Sequence, residues 1–137
     1  MSLFVDRHNI QTKVRLTPRL IRAVYTRDLK DGMALSAQYR EEERREHRDA
    51  SSLTYGEIHV DSFIQILHFV SKYRERAFPQ HESRGLVFYD LGSGAGLPVL
   101  VASLAGLGIK RSVGIELIPS LVASGREATR RLTEVVH

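Results

Sequence analysis

The fold turns on one run of residues, Val87-Phe88-Tyr89-Asp90-Leu91-Gly92-Ser93-Gly94-Ala95-Gly96-Leu97-Pro98. Leu86 to Tyr89 is a short apolar run rich in β-branched and aromatic residues, the pattern of a strand covered on both faces. Asp90 then stands at the strand's end. Gly92, Gly94 and Gly96 alternate behind it, where the backbone has to turn sharply and let a ligand come close without a Cβ in the way. Pro98 suits the first turn of a helix, because the amide hydrogen it lacks has no intrahelical partner there. The helix is predicted to continue through Val99, Leu100, Val101, Leu104 and Leu107, with Gly106 or Gly108 near its end.

Downstream, Lys110-Arg111-Ser112-Val113-Gly114-Ile115-Glu116-Leu117 reads as a second parallel strand ending in another carboxylate. A strand-helix-strand crossover places Glu116 beside the glycine turn, at the carboxyl edge of the sheet where such folds bind ligands. A carboxylate there can accept both hydrogen bonds from a ribose diol, so the two acids and the turn describe a nucleoside site. The dinucleotide fingerprint needs Gly-x-Gly-x-x-Gly, and Leu97 stands where its last glycine would be. A P-loop is excluded as well, because no Gly-Lys-Ser/Thr follows.

The pattern Asp-x-Gly-x-Gly-x-Gly followed by Gly-x-Glu resembles motif I and the next acidic position of class I S-adenosylmethionine-dependent methyltransferases. A sulfonium cofactor favours a carboxylate where a pyrophosphate would disfavour one. Upstream, Leu53-Thr54-Tyr55-Gly56-Glu57-Ile58 precedes an amphipathic helix with Ser62 and Gln65 at capping-box spacing. Phe63, Ile66, Leu67, Val70 and Tyr73 are its predicted packing face. The order Tyr-Gly-Glu, helix, motif I, helix, Gly-x-Glu resembles the disruptor-of-telomeric-silencing type of histone-lysine methyltransferase, over about residues 53 to 125. That resemblance implies a Rossmann-like α/β sheet and S-adenosylmethionine as cofactor. It assigns a loop closing over the cofactor to Tyr55, Gly56 and Glu57, the methionine end to Asp90 and Gly92, the turn to Gly94 and Gly96, and the ribose to Glu116. Relatives often carry a polar amide after the third glycine, where this chain has Leu97. The resemblance further implies a nucleosomal histone as protein substrate and a nuclear location. Methyltransferases acting on RNA or a small molecule share motif I, and a non-catalytic interaction module could keep the same fold.

The remaining sequence frames this unit. The 137 residues are 42% hydrophobic and 26% charged, within the range of one compact domain. There is no cysteine, hence no disulfide framework or thiolate metal site. His8, His47, His59, His68, His81 and His137 show no ligand spacing, so no metal is expected. No apolar run approaches the ~20 residues needed to cross a bilayer, and the first residues lack the features of a secretion signal, so the chain is expected inside the cell and off the membrane.

The net charge of +4 is unevenly spread: residues 1 to 30 hold seven basic side chains against Asp6 and Asp28. The basic set is Arg7, Lys13, Arg15, Arg19, Arg22, Arg27 and Lys30, a segment that could meet nucleic acid phosphates or form a solvated helix. Leu20, Ile21, Val24 and Tyr25 have helical spacing, with Pro18 near that helix's predicted start. Gln38 to Asp49 has almost no apolar stripe and reads as an exposed helix or connector, and Asp49 to Ser52 as a link. Residues 1-52 are therefore read as a helical, basic-then-charged segment, and 53-137 as the first part of the cofactor-binding domain. A last helix should open at Pro119 and carry Leu121, Val122, Ala128, Leu132, Val135 and Val136. Two strands make an incomplete sheet, so further chain, self-association or a partner is expected to complete it. No residue in this segment is read as catalytic.

Overall fold

The structure, a computed structural model, describes residues 7–26, 29, 31–47, 49, 51, 55–77 and 85–136, with backbone alone for 7–14. Its elements run α1 (Arg7–Val24), α2 (Gly32–Arg45), α3 (Val60–Ala77), β1 (Leu86–Leu91), α4 (Leu97–Leu104), β2 (Ile109–Ile115) and α5 (Pro119–Val136). The expected boundary at residues 52 and 53, together with Asp6, Arg27, Asp28, Lys30, Ala50, Leu53, Thr54, His81 and His137, lies outside the described residues.

β1 and β2 pair in parallel through the α4 crossover, with Asp90 opposite Gly114 and Leu91 opposite Ile115. That register carries Asp90 and Glu116 to the same edge, as the spacing predicts. Leu97 and Pro98 open α4 behind Gly96, which has φ +85° and is reached only cheaply by a residue without a Cβ. Gly106 and Gly108, both at positive φ, follow the helix's end.

The main core joins helices from both ends of the chain. Ile21 and Val24 of α1, Ile64 and Leu67 of α3, Leu100 to Ala102 of α4 and Ala128 and Leu132 of α5 form one buried cluster. A second, smaller cluster joins Leu35 of α2 to Ile118 and Leu121, with Tyr39 and Tyr55 against it. Phe63 meets Phe88 edge to face at a centroid separation of 5.8 Å, which seats α3 on the α4 side of β1. Arg131 of α5 donates to Thr26 Oγ1 at 2.8 Å and approaches the Val24 carbonyl at 3.5 Å, tying the end of α1 to the last helix.

Four expectations are corrected by these elements. Pro18 lies inside α1 rather than near its start, since the helix already runs from Arg7. The helix forfeits one i to i−4 bond there, and burial of Thr17, Ile21 and Val24 on the same side holds it together. Ser62 does not cap α3, which begins at Val60; it sits in the first turn beside Asp61, whose charge suits that end of the helix dipole. The buried face of α3 is Ile64, Leu67 and Ser71, while Ile66, Phe69, Val70 and Tyr73 are exposed. The helix is apolar on more than one side, and Phe63 turns toward Phe88, which rotates the predicted stripe outward. Finally, β1 is not covered on both faces: Leu86, Phe88 and Asp90 are half-buried, while Val87, Tyr89 and Leu91 stand exposed, Leu91 by 77%.

Candidate functional site

Three glycines shape the loop between β1 and α4, at φ +80° for Gly92, +54° for Gly94 and +85° for Gly96. Left-handed backbone at alternate positions folds the chain back so that Gly92 and Ser93 both donate to the Ile115 carbonyl, at 2.8 and 3.0 Å. A Cβ at Gly92 would meet nothing within 4 Å, so this glycine faces open space. A Cβ at Gly94 would lie 2.6 Å from the Tyr55 ring, so here the glycine makes room for a protein side chain.

Glu116 closes the loop from the β2 side. Its Oε2 accepts from the Gly94 amide at 2.7 Å, while Oε1 accepts from Leu117 and Ile118 at 2.8 and 2.9 Å. The carboxylate thus shapes the turn, and each oxygen retains acceptor capacity in other directions. Asp90 is treated differently. Its Oδ2 is buried without a hydrogen-bond partner, and burial, followed by the charge of Glu116, holds its carboxyl above the usual range.

The Tyr55-Gly56-Glu57 segment lies across the loop. The Tyr55 hydroxyl donates to Glu57 Oε1 at 2.5 Å, and its ring occupies space that a Cβ at Gly32 or Gly94 would fill. Burial and then Glu57 push the Tyr55 hydroxyl well above its ordinary pKa. Two hollows flank the loop and share Ser93 and Gly94 in their walls. One, of about 270 Å³, lies between Asp90, Gly92 and the Tyr55–Glu57 segment. The other, of about 330 Å³, lies between Glu116, Gly114 and the α5 residues Arg126 and Thr129.

All eight residues singled out from the sequence therefore gather around one loop. Others there were not foreseen. Gly125 of α5 packs its Cα 3.4 Å from where a Gly96 Cβ would be, and the Tyr25 hydroxyl donates to the Ala95 carbonyl at 2.8 Å. A glycine inside an otherwise good helical pattern was the available sign for Gly125. Tyr25 gave only a place at the end of an apolar stripe. Among the described residues no three His, Asp or Glu side chains cluster as metal ligands.

A parallel strand-turn-helix-strand unit with carboxylates at the ends of both strands defines an α/β protein with its glycine loop at the carboxyl edge of the sheet. The family model described as Histone methylation protein DOT1 matches residues 35–136, and the chain belongs to that family of methyltransferases acting on histones. No curated protein and no solved structure matches the chain significantly.

Proposed function

We propose that residues 53 to 137 form the S-adenosylmethionine-binding part, with a Rossmann-like architecture, of a histone-lysine methyltransferase. The observation that carries the reading is the unpartnered, buried Oδ2 of Asp90 beside the open space at Gly92. A buried anion without a partner costs free energy, and a cationic ligand in the adjoining hollow offsets it. The cofactor's ammonium and sulfonium groups are both positive, and the hollow lined by Asp90 and Gly92 suits that charge. Asp90 and Gly92 hold the cofactor's amino-acid end, Tyr55, Gly56 and Glu57 cover it, and Gly94, Gly96 and Glu116 take the nucleoside side. When bound, the cofactor supplies an electrophilic methyl group.

The chain's own residues orient and exclude water rather than carry protons. The acceptor amine has to arrive neutral, which burial beside a positive charge favours by lowering a lysine's pKa. A nuclear nucleosome is the proposed setting. Arg15, Arg19 and Arg22 lie exposed along one side of α1, which supports contact with DNA phosphates. The bare face of Val87, Tyr89 and Leu91 supports a covering layer from further chain, a second copy or a partner, as parallel sheets have both faces covered.

Calorimetric titration of S-adenosylmethionine and its demethylated product tests the reading, with Asp90→Ala and Glu116→Ala alongside. Micromolar binding that disappears in both variants, each still melting cooperatively, is the expected result. A wild-type chain that melts cooperatively and binds neither compound sinks it.

A further inference from the structure

Ala95 lies between two glycines at positive φ, and that creates a mechanical problem. Glycine populates left- and right-handed backbone about equally, so the two peptide units flanking Ala95 have little intrinsic reason to keep one orientation. Their direction matters, because the Gly96 N–H of the second unit reaches the Ser93 carbonyl at 2.8 Å and closes the turn. Something outside the loop has to hold them.

Tyr25 does so by a hydrogen bond, and Tyr55 packs against the loop beside it. Tyr25, packed against the main cluster, donates to the Ala95 carbonyl at 2.8 Å and fixes the unit that contains the Gly96 amide. Tyr55, packed against the smaller cluster, lays its ring 2.6 Å from where a Gly94 Cβ would be and so crowds the start of the unit before it. Tyr25 is itself braced, since Arg131 holds Thr26 Oγ1 and approaches the Val24 carbonyl on either side of it. Ala95 is 4% exposed, so water is a poor substitute for the Tyr25 hydroxyl. Tyr25 also lies outside residues 35–136, which makes α1 a contributor to the loop that the family match does not include.

We propose that Tyr25 is a positioning residue whose hydroxyl locks the Ala95–Gly96 peptide unit, with the Tyr55 ring packed at Gly94, into the orientation needed to receive the cofactor. The role in binding rests on the cofactor reading above, while the locking itself does not. Tyr25→Phe keeps the ring in the core and removes the hydroxyl. It is expected to weaken S-adenosylmethionine binding about tenfold and to speed hydrogen exchange at the Gly96 amide, with the β1 amides unchanged. Ile64→Ala, a core truncation on α3 away from the loop, lowers the melting temperature and should leave both affinity and Gly96 exchange as in the wild type. Unchanged exchange at Gly96 in Tyr25→Phe overturns the lock, whether or not the cofactor binds. Faster exchange at Gly96 in a protein whose wild type binds no cofactor leaves the lock standing and removes the cofactor reading. Equal loss of affinity in Ile64→Ala and Tyr25→Phe overturns the specific role of Tyr25.

Discussion

Asp90 and Glu116 are both strand-end carboxylates, and their surroundings set them to different tasks. Glu116 is satisfied by three backbone amides and shapes the turn, whereas Asp90 has one oxygen buried without a partner and its residue lines a hollow. Because the folded pKa of Asp90 is raised, its ionised form costs stability at neutral pH, and that cost is relieved as pH falls through the raised pKa. Cofactor binding should show the opposite trend, since a cationic ligand prefers the ionised form. Affinity for S-adenosylmethionine is therefore expected to fall as pH drops through a midpoint above the ordinary carboxylate range. Asp90→Asn should abolish that dependence and weaken binding at least tenfold at neutral pH, while raising the melting temperature by about 3 °C. Calorimetric titrations across a pH series, with melts at each pH, check both signs. These acids and glycines were legible in the sequence because their spacing alone fixes a strand, a turn and a crossover. Tyr25 was not legible as a loop residue, because helical spacing says which face is buried and nothing about what a hydroxyl at its edge touches 70 residues away.

Between elements, the tightest constraint is the approach of α5 to the loop. An added Cβ at Gly125 would stand 3.3 Å from the Ala95 carbonyl oxygen, which Tyr25 already holds. Alanine gains about 1 kcal/mol of helix propensity over glycine at an interior position. The crowding should exceed that gain, so Gly125→Ala is expected to lose roughly 1 kcal/mol net. In a Tyr25→Phe background the carbonyl is freer to move and the loss should shrink toward zero. Denaturant unfolding of the two single variants and the double variant measures this coupling. Element order and the positions of β1, α4, β2 and α5 followed from periodicity and from Pro98 and Pro119. The packing face of α3 did not, because Ile64, Ile66, Leu67, Phe69 and Val70 spread apolar character around the helix, and a stripe can be read only against a polar opposite face.

Over the whole molecule, charge and packing divide α1 between two tasks. Its inner side, with Val24 fully buried, belongs to the core, and its outer side carries Arg15, Arg19 and Arg22. If the outer side meets DNA phosphates, replacing all three arginines by alanine should lower the slope of log affinity against log salt by about 3. Fluorescence anisotropy with labelled duplex DNA at several salt concentrations measures that slope, and an unchanged slope removes DNA contact from this helix. The charge asymmetry was legible by counting residues. The burial of α1 was not, because its partners Leu100, Ala128 and Leu132 lie far along the chain and no local pattern names them.

The same long reach sets an order of events during synthesis. Tyr25 leaves the ribosome before the glycine loop, and Arg131, which braces the end of α1, leaves after both. A nascent chain halted before α5 would already contain every amino acid of the loop and Asp90. It would lack the brace that lets Tyr25 reach across to Ala95, so the loop takes its shape only after α5 has emerged.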